Sequence, residues 1–268
     1  MSRQEPSQRI AIPMALTIGG SDPTGGAGIQ ADLATFRSLG VHGLTVVTSV
    51  TAQNTSGVQG IEHIAPAMVE LQLRGLLADL PVTVMKTGML ATGATVEVVA
   101  RELEQCSGYL LVVDPVITAS GGQRLLDTDG VAALTNILLP LASIITPNLD
   151  EAAVLTGEPV TDLQSMKQAA ERIRKLGAHW VLVKGGHLPG DPIDILYDGK
   201  QHRELRGERM GSAAPHGTGC ALSAAICAYL AQGRVVEEAV MMAREYVQRA
   251  IASSFRPGRG APLLRFEC

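Results

Sequence analysis

Six short runs rich in apolar and β-branched residues recur along the chain: MALTIG (14–19), LTVVTSVT (44–51), VTVMKTG (82–88), YLLVVDPV (109–116), ASIITP (142–147) and HWVLVKGG (179–186). Between them lie segments with helical spacing of apolar positions, among them VEVVARELEQC (96–106) and MKQAAERIRKL (166–176). This alternation predicts βαβ units, and continuous apolar strands predict a mostly parallel sheet covered on both faces, a three-layer α/β/α sandwich. Ligands of such sheets sit at the carboxyl ends of the strands. Five of the runs end in polar or glycine-rich peptides, Gly19-Gly20-Ser21-Asp22, Lys86-Thr87-Gly88, Asp114-Pro115, Thr146-Pro147-Asn148 and Lys184-Gly185-Gly186-His187, all predicted on one rim. DILYDG and QHRELRG around Gly199-Lys200 predict an antiparallel hairpin at the sheet edge, and residues 217–232 and 235–255 predict two long helices. No linker, repeat or low-complexity tract divides the chain, so one domain is expected, preceded by a disordered tail over residues 1–13.

Composition narrows the partners. A net charge of −4 with mixed signs offers no cationic stripe for nucleic acid, and 3% aromatic residues provide few stacking platforms. The opening MSRQEPSQRIAIP lacks the apolar segment of a signal peptide, and no later run reaches the length of a membrane span. Cys106, Cys220, Cys227 and Cys268 form no CxxC pair. A reduced, cytoplasmic setting without membrane contact is expected.

The first glycine turn, SDPTGGAGIQAD (21–32), contains a GxGxxA match to a dinucleotide fingerprint. Seven residues separate the strand from Gly26, however, and the stretch that should carry the ribose-binding acid reads VTSVTAQNT. The glycines also suit a plain tight turn. Asp32, one helical turn beyond Gly28, is placed to hydrogen-bond an uncharged polar ligand lying over that turn.

The second turn, HGTGC (216–220), leads into the alanine-rich run ALSAAICAYLA. A helix start presents unpaired amides and a positive dipole end, so Gly217, Thr218, Gly219 and Cys220 can hold an anion without a basic side chain. The same position is expected to lower the pKa of the Cys220 thiol, the alternative being a plain helix-start turn with a buried, inert cysteine. There is no GxxxxGK[ST] in the chain, which removes a P-loop.

Taken in order, GSDPTGGAGIQADLATF, SVTAQNTSGV, KTGML, VVDPV, ITPNLDEA, VKGGH and HGTGCALSAAI resemble the hydroxymethylpyrimidine/phosphomethylpyrimidine kinases of thiamine biosynthesis, from about Ala15 to about Arg249. The wider group is that of the ribokinase-like kinases, whose vitamin-kinase branch includes pyridoxal kinases. The resemblance implies that the first turn closes over the pyrimidine while the second holds the phosphates of ATP. It implies pyrimidine contacts from Gly20, Asp32 and Gln53, with Thr51, Met89 and Val116 as walls, although Met89 and Val116 also suit core packing. Asn148 and Glu151 match an NxxE motif in which the acid organises Mg²⁺ and its waters, assisted by Asp114; Asn148 is also a good helix N-cap. Lys184 and His187 resemble nucleotide-side residues, Lys184 being equally suited to a strand end, and Lys86 is more ambiguous. The reaction implied is transfer of the ATP γ-phosphoryl to 4-amino-5-hydroxymethyl-2-methylpyrimidine and then to its monophosphate, with Cys220 as thiolate accepting the hydroxyl proton. Such enzymes are commonly homodimers or larger assemblies.

Two stretches depart from the family pattern. NTHGTGC is here APHGTGC, and the run after DPV reads Ile117-Thr118-Ala119-Ser120-Gly121-Gly122, without the lysine often found there. A pyridoxal kinase and a non-catalytic pyrimidine sensor are the rival readings. The tail FRPGRGAPLLRFEC carries no functional signal.

Overall fold

The computed structural model describes residues 12–119, 122–186, 188, 190–209 and 215–266. The elements in chain order are β1 (Met14–Ser21), α1 (Gly28–Ser38), β2 (His42–Asn54), β3 (Gly57–His63), α2 (Pro66–Asp79), β4 (Val84–Thr87), α3 (Gly93–Glu104), β5 (Leu110–Val113) and α4 (Thr128–Ala133). There follow β6 (Ile144–Ile145), α5 (Leu149–Thr156), α6 (Leu163–Lys175), β7 (Trp180–Val183), β8 (Ile193–Tyr197), β9 (His202–Arg206), α7 (Thr218–Ala231) and α8 (Val236–Ala252). The nine strands form one sheet in the order β3-β2-β1-β4-β5-β6-β7-β8-β9. The six from β2 to β7 run parallel, while β3, β8 and β9 each pair antiparallel with their neighbours. The expected layers, parallel centre and 199–200 hairpin are all present.

The apolar runs are continuous because both faces of the sheet are covered. Leu16, Ile18, Met85, Leu111, Val113, Val181 and Val183 point into one core, with side chains of α2, α3, α5 and α6. Ala15, Val84, Val112, Ile144 and Leu182 point into the other, under α7 and α8. Residues 221–230 of α7 are all buried, so this helix is apolar on every side. Its small side chains let it lie close beneath β1, β4 and β5.

The first difference from the sequence reading is β3. Gly57–His63 is mostly exposed or half-buried, and its mixture of glycine and charge hides an edge strand. The second is the end of α8, which stops at Ala252 rather than 255, because Phe255 pairs with Leu263 instead. Of the expected N-terminal tail, residues 1–11 lie outside the described residues.

Candidate active site

The strand ends open onto a cleft of about 330 Å³. It is lined by Gly20, Asp32, Thr51, Gln53, Met89 and Val116 on one side and by Asp114, Asn148, Glu151, Lys184, Gly217, Thr218, Gly219 and Cys220 on the other. The site residues expected from sequence thus meet around one space, apart from His187, which lies outside the described residues.

The β1–β2 pairing shifts register between Gly19 and Gly20, both of which line the cleft. Asp22 then folds the first turn: its Oδ1 accepts from the Thr24 amide and its Oδ2 from the Ala27 amide, both at 2.9 Å. Burial pushes its carboxyl up, but donation from His216 and Thr24 outweighs this and holds it below the ordinary value.

Asp32 takes a partner that its sequence position does not reveal. Its Oδ2 accepts from Thr17 Oγ1 at 2.6 Å and from Lys86 Nζ at 2.8 Å, and both Asp32 and Lys86 are 1% exposed. The ambiguous Lys86 is therefore the counter-ion of the cleft floor. Burial raises the Asp32 carboxyl despite Lys86; burial also works against the Lys86 ammonium, but Asp32, Cys220 and Asp114 together hold it above its ordinary value. We take the pair as ionised, because ammonium and hydroxyl both donate to the same carboxylate oxygen. Asp32 Oδ1 has no protein partner.

The second turn is built as expected. Gly217 caps α7 in the left-handed region at φ +84°, and Thr218 to Cys220 form its first turn. One expectation is corrected. The Cys220 thiol is not depressed but pushed up to about 12, because burial dominates; the Lys86 ammonium and the Gly28 amide pull it down, while Asp114 and Asp32 push it further up. Cys220 thus rests as a neutral thiol. Alkylation of its peptide by iodoacetamide at pH 8 is therefore expected to run at least about a hundredfold slower than that of a free thiol, and to rise about tenfold per pH unit up to pH 10. A plateau below pH 9 would contradict this.

Asp114 and Lys184 form the opposite wall. Lys184 Nζ lies 3.3 Å from Asp114 Oδ1 and 3.9 Å from Glu151 Oε2, and Ser223 donates to Asp114 Oδ2 at 3.0 Å. Burial works against the Asp114 charge, yet Lys184, Lys86 and Ser223 hold its pKa below the ordinary value. Glu151 is pushed up to about 7 by burial; Lys184 opposes the shift and Asp114 adds to it. Asn148 does cap α5: its side chain accepts from the Glu151 amide at 2.9 Å, while Glu151 Oε2 accepts from the Asn148 amide at 2.7 Å. Both residues also line the cleft, so capping and site roles coexist.

No sequence pattern points to Asp22, Ser223 or the imidazole of His216, and none decides the role of Lys86. A buried lysine in KTGML was the one visible signal, since lysine inside an apolar strand needs a carboxylate partner.

A sequence model of phosphomethylpyrimidine kinase matches residues 22–264. The chain belongs to the phosphomethylpyrimidine kinase family. It is 44% identical, over 95% of its length and 94% of the relative's, to the hydroxymethylpyrimidine/phosphomethylpyrimidine kinase of Streptomyces coelicolor. It is 46% identical over 97% of its length to a bifunctional thiamine biosynthesis protein of Geobacter sulfurreducens, of which it spans 52%. The ADP complex of Bacillus subtilis pyridoxal kinase superposes with a TM-score of 0.89 at 36% identity, covering 96% of this chain and 98% of that one. The fold is ribokinase-like, as the resemblance implied.

Proposed function

We propose that the chain transfers the γ-phosphoryl of ATP to the hydroxymethyl group of 4-amino-5-hydroxymethyl-2-methylpyrimidine, and then a second phosphoryl to the monophosphate. The observation that carries this reading is Asp32 Oδ1, a buried acceptor without a protein partner, on a residue that lines the same cleft as Gln53. An aminopyrimidine supplies a donor to such an acceptor and a ring nitrogen beside it. Gly20, Thr51, Met89 and Val116 close around the ring.

The amides of residues 217–220 and the Lys184 ammonium face the cleft where phosphates would lie, and phosphoryl transfer requires chiefly alignment and neutralisation of charge. Asp114 and Glu151 fit Mg²⁺, since two buried carboxylates share one ammonium and this ion takes few protein ligands and several waters. When bound there it would neutralise charge on the phosphate oxygens. Asn148 orients Glu151 through the capping box. A thiol that already carries its proton cannot take another, so Cys220 accepts the hydroxyl proton only from its thiolate form, reached once its own proton has left to solvent. Elsewhere in the chain, the continuous sheet supports one catalytic domain, free Cys106, Cys220 and Cys227 support a cytoplasmic setting, and exposed Val50, Met68 and Leu71 support a homodimer or larger assembly. Among the described residues no helix is long and apolar enough to cross a membrane.

The likeness to pyridoxal kinase makes that activity the second reading. ATP consumption is expected with hydroxymethylpyrimidine and to be much weaker with pyridoxal; the reverse preference would refute the assignment. In the same assay Gln53→Ala should raise the KM for the pyrimidine about tenfold and leave that for ATP unchanged.

A further inference from the structure

The silent C-terminal tail closes against the site. The His216 amide donates to the Pro262 carbonyl at 2.8 Å, and Leu263 pairs with both His216 and Phe255. A Cβ on Gly26 would meet Leu263 at 2.7 Å and the His216 ring at 3.0 Å, so the imidazole is wedged between the first glycine turn and the tail.

Counting protons around this ring fixes more than its place. His216 Nε2 lies 2.9 Å from Asp22 Oδ2, and the ionised carboxylate can only accept, so Nε2 carries a hydrogen. The same Nε2 lies 3.0 Å from the end of the Gln53 carboxamide. The other end of that carboxamide lies 3.3 Å from Thr51 Oγ1, whose hydroxyl donates to the Ser21 carbonyl at 2.9 Å. With the Gln53 nitrogen toward His216, two N–H donors would face each other. Its oxygen would meanwhile face a hydroxyl whose proton is already committed. Turning the carboxamide by 180° resolves both conflicts. The oxygen then shares the single His216 Nε2 hydrogen with Asp22 Oδ2 in a three-centre bond, one N–H donates to Thr51, and the second N–H is left for the cleft.

We infer that His216 is a positioning residue that fixes the sense of the Gln53 carboxamide, so that this wall of the pocket donates a hydrogen bond and selects heterocycles presenting an unprotonated ring nitrogen. The inference rests on Gln53 contacting the heterocycle. The probes are the 4-amino pyrimidine and its 4-oxo analogue, whose adjacent ring nitrogen carries a proton. His216→Leu frees the carboxamide to turn, and the kcat/KM preference for the amino compound is expected to fall about tenfold. His216→Gln, whose amide can reach the Nε2 position, should restore most of it. In a Gln53→Ala background the His216→Leu effect should vanish.

If Gln53→Ala alone leaves the pyrimidine KM unchanged, the underlying site reading fails. If Gln53→Ala raises it, but His216→Leu leaves the preference intact or acts equally without Gln53, the positioning role is wrong. Nitrogen-15 shifts of the intact wild-type protein give a reading independent of any variant's folding. A protonated Nε2 on His216 is expected; a bare Nε2 with the proton on Nδ1 would overturn the inference.

Discussion

Replacing Lys86 with methionine is expected to lower the unfolding free energy by about 3–5 kcal/mol, read from urea titration followed by circular dichroism. Lys86 and Asp32 are each 1% exposed, and Thr17, the other donor to Asp32 Oδ2, is fully buried. Removing the ammonium leaves a carboxylate with one hydroxyl donor and an Oδ1 that already lacks a protein partner. A buried charge in that position either destabilises the fold or takes up a proton. Pairing the change with Asp32→Asn removes the charge and should recover more than half of the loss. Since the cation also faces Cys220, ATP turnover should fall in both variants, the double one included. A loss below about 1 kcal/mol for Lys86→Met would mean that water reaches Asp32 and that the floor of the cleft is wetter than its burial indicates.

That pair also marks where the sequence stops being informative. The parallel core was legible because each strand is apolar on both faces, a pattern that few arrangements besides a covered parallel sheet produce. The site rim was legible because strands end in polar peptides and because the turns at Gly28 and Gly217, both at positive φ, require glycine. Partners distant in sequence were not. Nothing in KTGML says that Lys86 points across the sheet to Asp32, 54 residues away. Nothing in HGTGC says that its histidine meets Asp22 and Gln53. The misjudged Cys220 thiol has the same origin: a helix start is readable from spacing, but burial against Asp114 and Asp32 is a property of the assembled fold. The edge strand β3 was missed for another reason, since an exposed edge needs no apolar pattern.

The largest kinetic effect is expected from one methyl group. Gly217→Ala should reduce kcat/KM by about a hundredfold or more for both phosphoryl transfers. The backbone there has φ +84°, a region that alanine enters only with strain, and the added Cβ would collide with the Gly26 carbonyl oxygen. The two glycine turns are thus in backbone contact, and the Gly28 amide reaches toward the Cys220 sulfur from the first turn. Pushing Gly217 away from Gly26 moves the anion-holding amides and the heterocycle loop together, so the KM values for pyrimidine and ATP should both rise. Gly219→Ala is the control on the same turn. Its Cβ would meet only the flexible Lys184 Nζ at 3.2 Å, and its loss should stay within about tenfold, directed at ATP. Equal effects from the two substitutions, or a Gly217→Ala enzyme impaired toward ATP alone, would mean that the turns move independently and that phosphoryl donor and acceptor are not aligned by a shared backbone contact.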